Sequence, residues 1–185
     1  MKGMIFTEFM EMVEEANGLE AVDQLIERTQ PASGGAYTSV GNYDYGELLA
    51  MVSELSRLSG TPVPDLVRSF GQRVFKRLFV QHYGSFFKEA RDCFTFLEGI
   101  ETYIHTEVRK LYPDAELPLF KVKREGDDRL IMEYRSTRPF ADLAHGLILG
   151  CVGHYQENIA VAYEDLAEGK CTAARFTLTK GNDGG

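Results

Sequence analysis

Residues 119–138 read LFKVKREGDDRLIMEYRSTR, and this stretch decides the fold. Two short, partly alternating runs, 119–124 and 129–135, flank Glu125-Gly126-Asp127-Asp128, the composition of a tight turn, which predicts an antiparallel hairpin. Alternation with period two puts Tyr134, Ser136 and Arg138 on one side of an extended segment. Two hydroxyls and a guanidinium in a row suit one or two carboxylates. By itself the pattern Tyr-x-Ser-x-Arg reads more readily as the polar outer face of an edge strand.

Upstream of the hairpin the periodicity is helical. Ile5, Phe6, Phe9, Met10 and Val13 step by three and four as far as Asn17-Gly18. A short helix is expected over 21–28, a loop over 31–41, and a helix capped by Asp44 running to Leu58 and closed by Gly60. Another starts at Pro64 or Asp65 and runs past Val74 and Leu78 towards Gly84. The longest, 92–111, carries Phe94, Leu97, Ile100, Ile104, Val108 and Leu111 along one face, implying a buried stripe. Downstream, Pro139 opens a helix to about Tyr155. Two further strands, 159–163 and 173–179, enclose a short acidic turn of helix. The expectation is one α+β domain over 1–180: a helical bundle, then a small antiparallel sheet of about four strands with one inserted helix. Residues 181–185 are expected to be a disordered tail.

The chain has 185 residues and a formal net charge of −8. That balance argues against nucleic acid as a partner, since phosphate binding needs concentrated Lys and Arg. No apolar run approaches membrane-spanning length, so no membrane partner is expected. Three widely spaced cysteines, Cys93, Cys151 and Cys171, favour a reducing compartment and a cytoplasmic location.

His105 sits in the middle of the longest helix, beside its apolar stripe. A histidine there is commonly a satisfied core residue. A neutral imidazole on a rigid helix is also how a protein presents a nitrogen to haem iron. A helical histidine and a downstream carboxylate clamp are the two anchors a haem requires.

Met1-Lys2-Gly3 with Ile5, the helical His105, Pro113, Pro118, Tyr-x-Ser-x-Arg at 134–138 and Gly146-Leu147-Ile148 resemble the haem-nitric oxide/oxygen binding (H-NOX) family. The likeness runs to about residue 180 and implies a bacterial haem-based gas sensor rather than an enzyme, with haem b buried between the helical part and the sheet. It implies His105 as the proximal ligand, Tyr134, Ser136 and Arg138 as propionate ligands, and Pro118 pressing on the porphyrin. Family members that hold O2 place a tyrosine five positions beyond the arginine, where this chain has Leu143. The other positions matching the distal wall are Ile5, Phe9, Val74, Leu78 and Leu147, all apolar. Without a hydrogen-bond donor, worth on the order of 1–3 kcal/mol, the pocket is expected to discriminate against O2 while binding NO and CO. NO is expected to weaken the His105–iron bond. The resemblance further implies regulation of a separate signalling protein, either a sensor histidine kinase or a diguanylate cyclase/phosphodiesterase, because little chain follows the last strand.

Two other chemistries compete. Cys151, His154 and Cys171 offer three soft ligands for a zinc or redox switch, while Cys93 lies in a helix expected to pack elsewhere. Peroxidase chemistry needs a distal acid–base residue. His145 lies about 200° around the helix from Leu143 and should point away. His82 has no readable role beyond a helix end.

Overall fold

The computed structural model describes residues 1–82, 84–167 and 171–181, in two compact units, Met1–Phe70 and Gly71–Gly185.

The first unit contains α1 (Gly3–Asn17), α2 (Leu19–Thr29), α3 (Tyr45–Ser59) and the start of α4 (Val63–Val74). Phe6, Phe9 and Val13 are the buried apolar side chains of α1, as their spacing requires, with Gly3 and Glu8 buried beside them. Gly18 at φ +84° ends it. Asp44 caps α3 by accepting the Gly46 N–H at 2.6 Å, and Gly60 in the left-handed region closes it. The Met-Lys-Gly start has a packing reason. A Cβ on Gly3 would run into the Thr38 carbonyl oxygen, and the Gly3 N–H donates to the Gly41 carbonyl at 2.8 Å. Tyr37 stacks on Phe6 with centroids 4.5 Å apart and donates to Glu47 Oε2 at 2.8 Å. Burial, with help from the Glu47 carboxylate, pushes its phenol up to about 12.

The second unit is built on a four-stranded antiparallel sheet in the order β1 (Leu119–Glu125), β2 (Arg129–Ser136), β4 (Thr172–Lys180), β3 (Ile159–Asp165). Gly126 at φ +69° makes the turn between β1 and β2. Leu130, Met132 and Tyr134 of β2 and Ala174, Phe176 and Leu178 of β4 alternate into the core. The fold class is therefore the expected one: helices followed by an antiparallel sheet. The helix preceding β3, α9 (Ala141–Tyr155), begins two residues after Pro139. Its backbone approaches the α4 segment closely, because a Cβ on Gly71 would lie 2.5 Å from the Leu143 carbonyl oxygen and 2.8 Å from Gly146 Cα.

Four expectations need correction. The segment expected as one helix over 92–111 is α7 (Cys93–Glu98), a π-helical turn (Ile100–Ile104) and α8 (His105–Leu111). The helix expected to run towards Gly84 also changes pitch, with a π-turn at Phe75–Phe79 before α5 (Val80–His82); α6 (Gly84–Glu89) follows. Three- and four-residue steps do not reveal a single i→i+5 turn. Between β3 and β4, Asp165 is still strand and 166–167 are not helical; 168–170 lie outside the described residues. Cys93, expected to pack away from the other cysteines, sits against Cys151, with Sγ atoms 3.5 Å apart. The side chain of His82 and residues 182–185 of the expected tail lie outside the described residues. Gly181 donates its N–H to the Asn158 carbonyl at 2.7 Å.

Candidate functional site

The site begins with His105, the first residue of α8, buried at 6% exposure. Burial pushes its pKa down, against the pull of Glu101, so the imidazole is neutral. Glu101 lies one turn earlier, with Oε1 3.1 Å from His105 Nδ1. The contact is close but is not a formed hydrogen bond, so the buried Nδ1 is left without one. A carboxylate on that side still favours the tautomer protonated at Nδ1, leaving the Nε2 lone pair to face a metal.

Glu101 is itself fixed. Its Oε1 accepts the Phe120 backbone N–H at 2.7 Å, pinning the π-turn to the first strand. The Phe120 ring then stands between the two sequence motifs, with its centroid 6.1 Å from the His105 ring and 5.4 Å from the Tyr134 ring. The register explains this, since Phe120 pairs with Tyr134 across β1 and β2.

Tyr134 is 2% exposed. That removes the reading of this row as the polar outer face of the sheet: the phenol belongs to the core side, and Arg135 takes the exposed side. Burial raises the Tyr134 pKa, while a hydrogen bond with Ser136 and the charge of Arg138 pull it back. All three therefore interact at one locus. Ser136 ends β2, and its Oγ accepts the Arg138 backbone N–H at 3.0 Å. Arg138 lies beyond the strand, and its guanidinium reaches Glu116 Oε2 at 2.6 Å. A cavity of about 890 Å³ opens here, lined by Leu117, Leu119, Tyr134, Ser136, Leu166 and Ala174 among others. It does not reach His105.

Of the distal positions, Val74 is the buried last residue of α4, and Leu78 is half-buried in the following π-turn. Leu143 and Leu147 are half-buried on α9, one turn apart. The close approach of Gly71 to α9 brings these two segments together. Ile5 and Phe9 belong to the first unit, where Phe9 packs edge-on against Phe70 with centroids 5.4 Å apart. His145 stacks on Tyr163 at 5.5 Å and 7°, turned towards the sheet as its angular distance from Leu143 implies. Pro118 is half-buried immediately before β1.

Cys151, His154 and Cys171 do not converge. Cys151 is buried against Cys93, His154 is exposed beside Phe87, and Cys171 is exposed. Among the described residues, no three His, Cys, Asp or Glu side chains are grouped to hold a metal ion. Sequence reasoning missed Glu101 and Phe120. The i, i+4 spacing of Glu101 and His105 was a readable signal; the Phe120 link needed the strand register.

A buried neutral imidazole, with two hydroxyls and a guanidinium gathered beyond Phe120, is a donor set that fits an iron porphyrin carrying acidic side chains. The Haem-NO-binding (HNOB) family profile matches residues 2–163, and the chain belongs to that family of haem-based gas sensors. The chain is similar to the H-NOX protein of K. algicida, solved as unliganded Fe(II), at 35% identity in its A71G mutant form, with TM-score 0.92 over 99% of this chain and 98% of that one. It is also similar to the H-NOX of Shewanella woodyi, solved bound to IWP-051 in the Fe(II)CO state, at 40% identity and TM-score 0.83 over 100% of this chain and 97% of that one. It matches soluble guanylate cyclase gcy-33 of Caenorhabditis elegans at 28% identity, over 75% of this chain but only 14% of the cyclase. The chain thus spans about a seventh of that curated relative. No described helix is long and apolar enough to cross a membrane.

Proposed function

We propose that this chain senses nitric oxide through a haem b held by His105 and by Tyr134, Ser136 and Arg138, and signals to a separate protein. The observation that carries the reading is the buried, neutral His105, joined through Glu101 and Phe120 to a buried Tyr134. When bound, haem supplies a ferrous iron that takes diatomic gases. His105 would supply a nitrogen to that iron, and the Glu101 carboxylate beside it would steady the imidazole and raise its basicity. Tyr134 and Ser136 would donate hydroxyl hydrogens to propionates, and Arg138 would turn from exposed Glu116 to a propionate carboxylate, which a guanidinium can pair in bidentate fashion. By the family resemblance Pro118, next to β1, would press on the porphyrin.

Gas selectivity rests on what is missing from one wall. Val74, Leu78, Leu143 and Leu147 offer no hydrogen-bond donor, so O2 gains nothing there while NO and CO lose little. For Ile5 and Phe9 the same role rests on the family resemblance alone. A relative from S. oneidensis, 26% identical, has been solved in its Fe(II)NO state, which supports NO as the ligand. His105 would be the residue through which a gas signal at the haem reaches the protein, and the helix carrying it would be the element that changes state. The expected receivers are a sensor histidine kinase or a diguanylate cyclase/phosphodiesterase, and the expected setting is the bacterial cytoplasm.

The test is the absorption spectrum of the reduced protein under argon, air, CO and NO. The reading expects a Soret band that moves with CO and NO and is the same in air as under argon immediately after mixing. A colourless protein from haem-replete cells that also takes up no added hemin would overturn it.

A further inference from the structure

Cys93 and Cys151 are the two buried thiols among the described residues, and gas sensing leaves both unused. Both are fully buried, one at the start of α7 and the other near the end of α9, and their Sγ atoms are 3.5 Å apart. They are 58 residues apart in sequence, so tertiary structure alone brings them together. Two hydrogen bonds hold the backbone on either side. Glu157 Oε1 accepts the Cys93 N–H at 2.6 Å, and Tyr155 OH donates to the Ala90 carbonyl at 3.1 Å. Both tie the segment leading into α7 to the residues ending α9. The thiols therefore meet in a clamped frame, where side-chain rotation and a small backbone shift can close the remaining distance to a bond of about 2.05 Å.

We infer that Cys93 and Cys151 form a reversible dithiol–disulfide couple inside the core, oxidised by exchange with small-molecule disulfides. One cysteine, as thiolate, attacks a sulfur of the small disulfide. A mixed disulfide forms, the original S–S bond breaks, and one small thiol leaves after taking a proton. The second cysteine then attacks the protein sulfur of the mixed disulfide and expels the second small thiol. Two electrons pass from the protein to the small disulfide, and two small thiols are released. Burial holds the Cys151 thiol well above its ordinary pKa, so exchange waits on local opening and is slow. The pairing depends on thiol geometry and not on haem. The cross-link would join α7, the segment ahead of His105, to α9, which carries Leu143 and Leu147.

The test places the haem-loaded protein in glutathione redox buffers of rising oxidised-to-reduced ratio for hours, followed by acid quench, alkylation in denaturant and intact mass. Cys171 is exposed and reacts on its own, so Cys171→Ser is the working background. The expected result is a species two hydrogens lighter that takes up no alkyl groups, carries no bound glutathione, and grows as the ratio rises. Reductant returns it to a form that takes up two. Cys93→Ala in the same background should lose that species. Peptide mapping of the unmodified chain, which needs no core variant, should give a linked Cys93–Cys151 peptide. Two alkylated thiols at every ratio, or only glutathione adducts, would overturn the inference. Because the readout is mass, haem-free protein gives the same answer, and failure here leaves the gas-sensing reading standing.

Discussion

The π-turn and helix that carry His105 and the helix α9 are built in opposite ways. α9 is regular for its full length and packs through missing side chains: Gly146 meets Gly71, and Gly150 meets Phe75. Its cohesion is close backbone contact among apolar neighbours. The segment from Ile100 to Leu111 is shorter in regular helix, changes pitch at a π-turn, and buries only Ile104 and His105. Its main tie to the sheet is polar, Glu101 to the Phe120 N–H. A helix held by close packing resists displacement because packed interfaces have few alternative arrangements. A helix held mainly by one carboxylate can be released by changing it, and in the proposed reading a bond from His105 to haem would be its second hold. On that reading the ligand-sensing task would fall on the second kind.

The largest effect is expected from removing the tether. His105→Gly should abolish haem retention on purification, with added imidazole restoring a Soret band; undiminished haem without imidazole would remove His105 from the site. On the regular side, Leu143→Tyr should bring in a hydroxyl donor and raise O2 affinity by up to about a hundredfold, read by spectral titration. No gain at all would mean Leu143 does not face the ligand. Gly71→Val should force α9 away from its neighbour and cost about 1–3 kcal/mol in denaturant unfolding. If the same volume change at an exposed position of α8 costs as much, the contrast between the two helices fails.

Smaller effects sharpen the contrast. Glu101→Gln keeps an oxygen for the Phe120 N–H but removes the charge beside His105. It should leave haem content unchanged and lower the iron–histidine stretching frequency. The smallest is the pH response of the thiol on α9. Burial holds the folded Cys151 thiol well above its ordinary pKa near 9.0, so the unfolded chain releases this proton first as pH rises. The stability it contributes is present below about 9 and drains away above it. Cys151→Ala should flatten the stability profile there by a measurable fraction of its slope, as read from denaturation midpoints.

Much of this was legible in advance, and the reasons are local. The turn Glu125-Gly126-Asp127-Asp128 is turn chemistry, and Gly126 takes the positive φ that it predicts. The alternation of β2 put Tyr134 and Ser136 on one side, although only the fold chose which face was inner. Gly3 could be flagged as part of a family motif, but its cause, the Thr38 carbonyl, is a loop contact with no sequence period. The Cys93–Cys151 contact was invisible for the same reason, and the spacing of Cys151, His154 and Cys171 pointed to a grouping that the helix and strand directions do not make. Arg138 was assigned to the strand row and instead lies past its end, because Ser136 Oγ accepts its N–H and turns the chain.

The π-turn at Ile100–Ile104 has an evolutionary arithmetic. Such a turn is equivalent to one residue slipped into an ordinary helix, with the flanking turns keeping their phase. A helical wheel drawn straight through this region therefore misplaces His105 by one step, about 100°. Deleting a single residue within the π-turn should be a gentler indel than one inside α7 or α8, because it removes the extra residue of that turn and leaves both helices whole. The same deletion two turns later would swing everything after it to a new side.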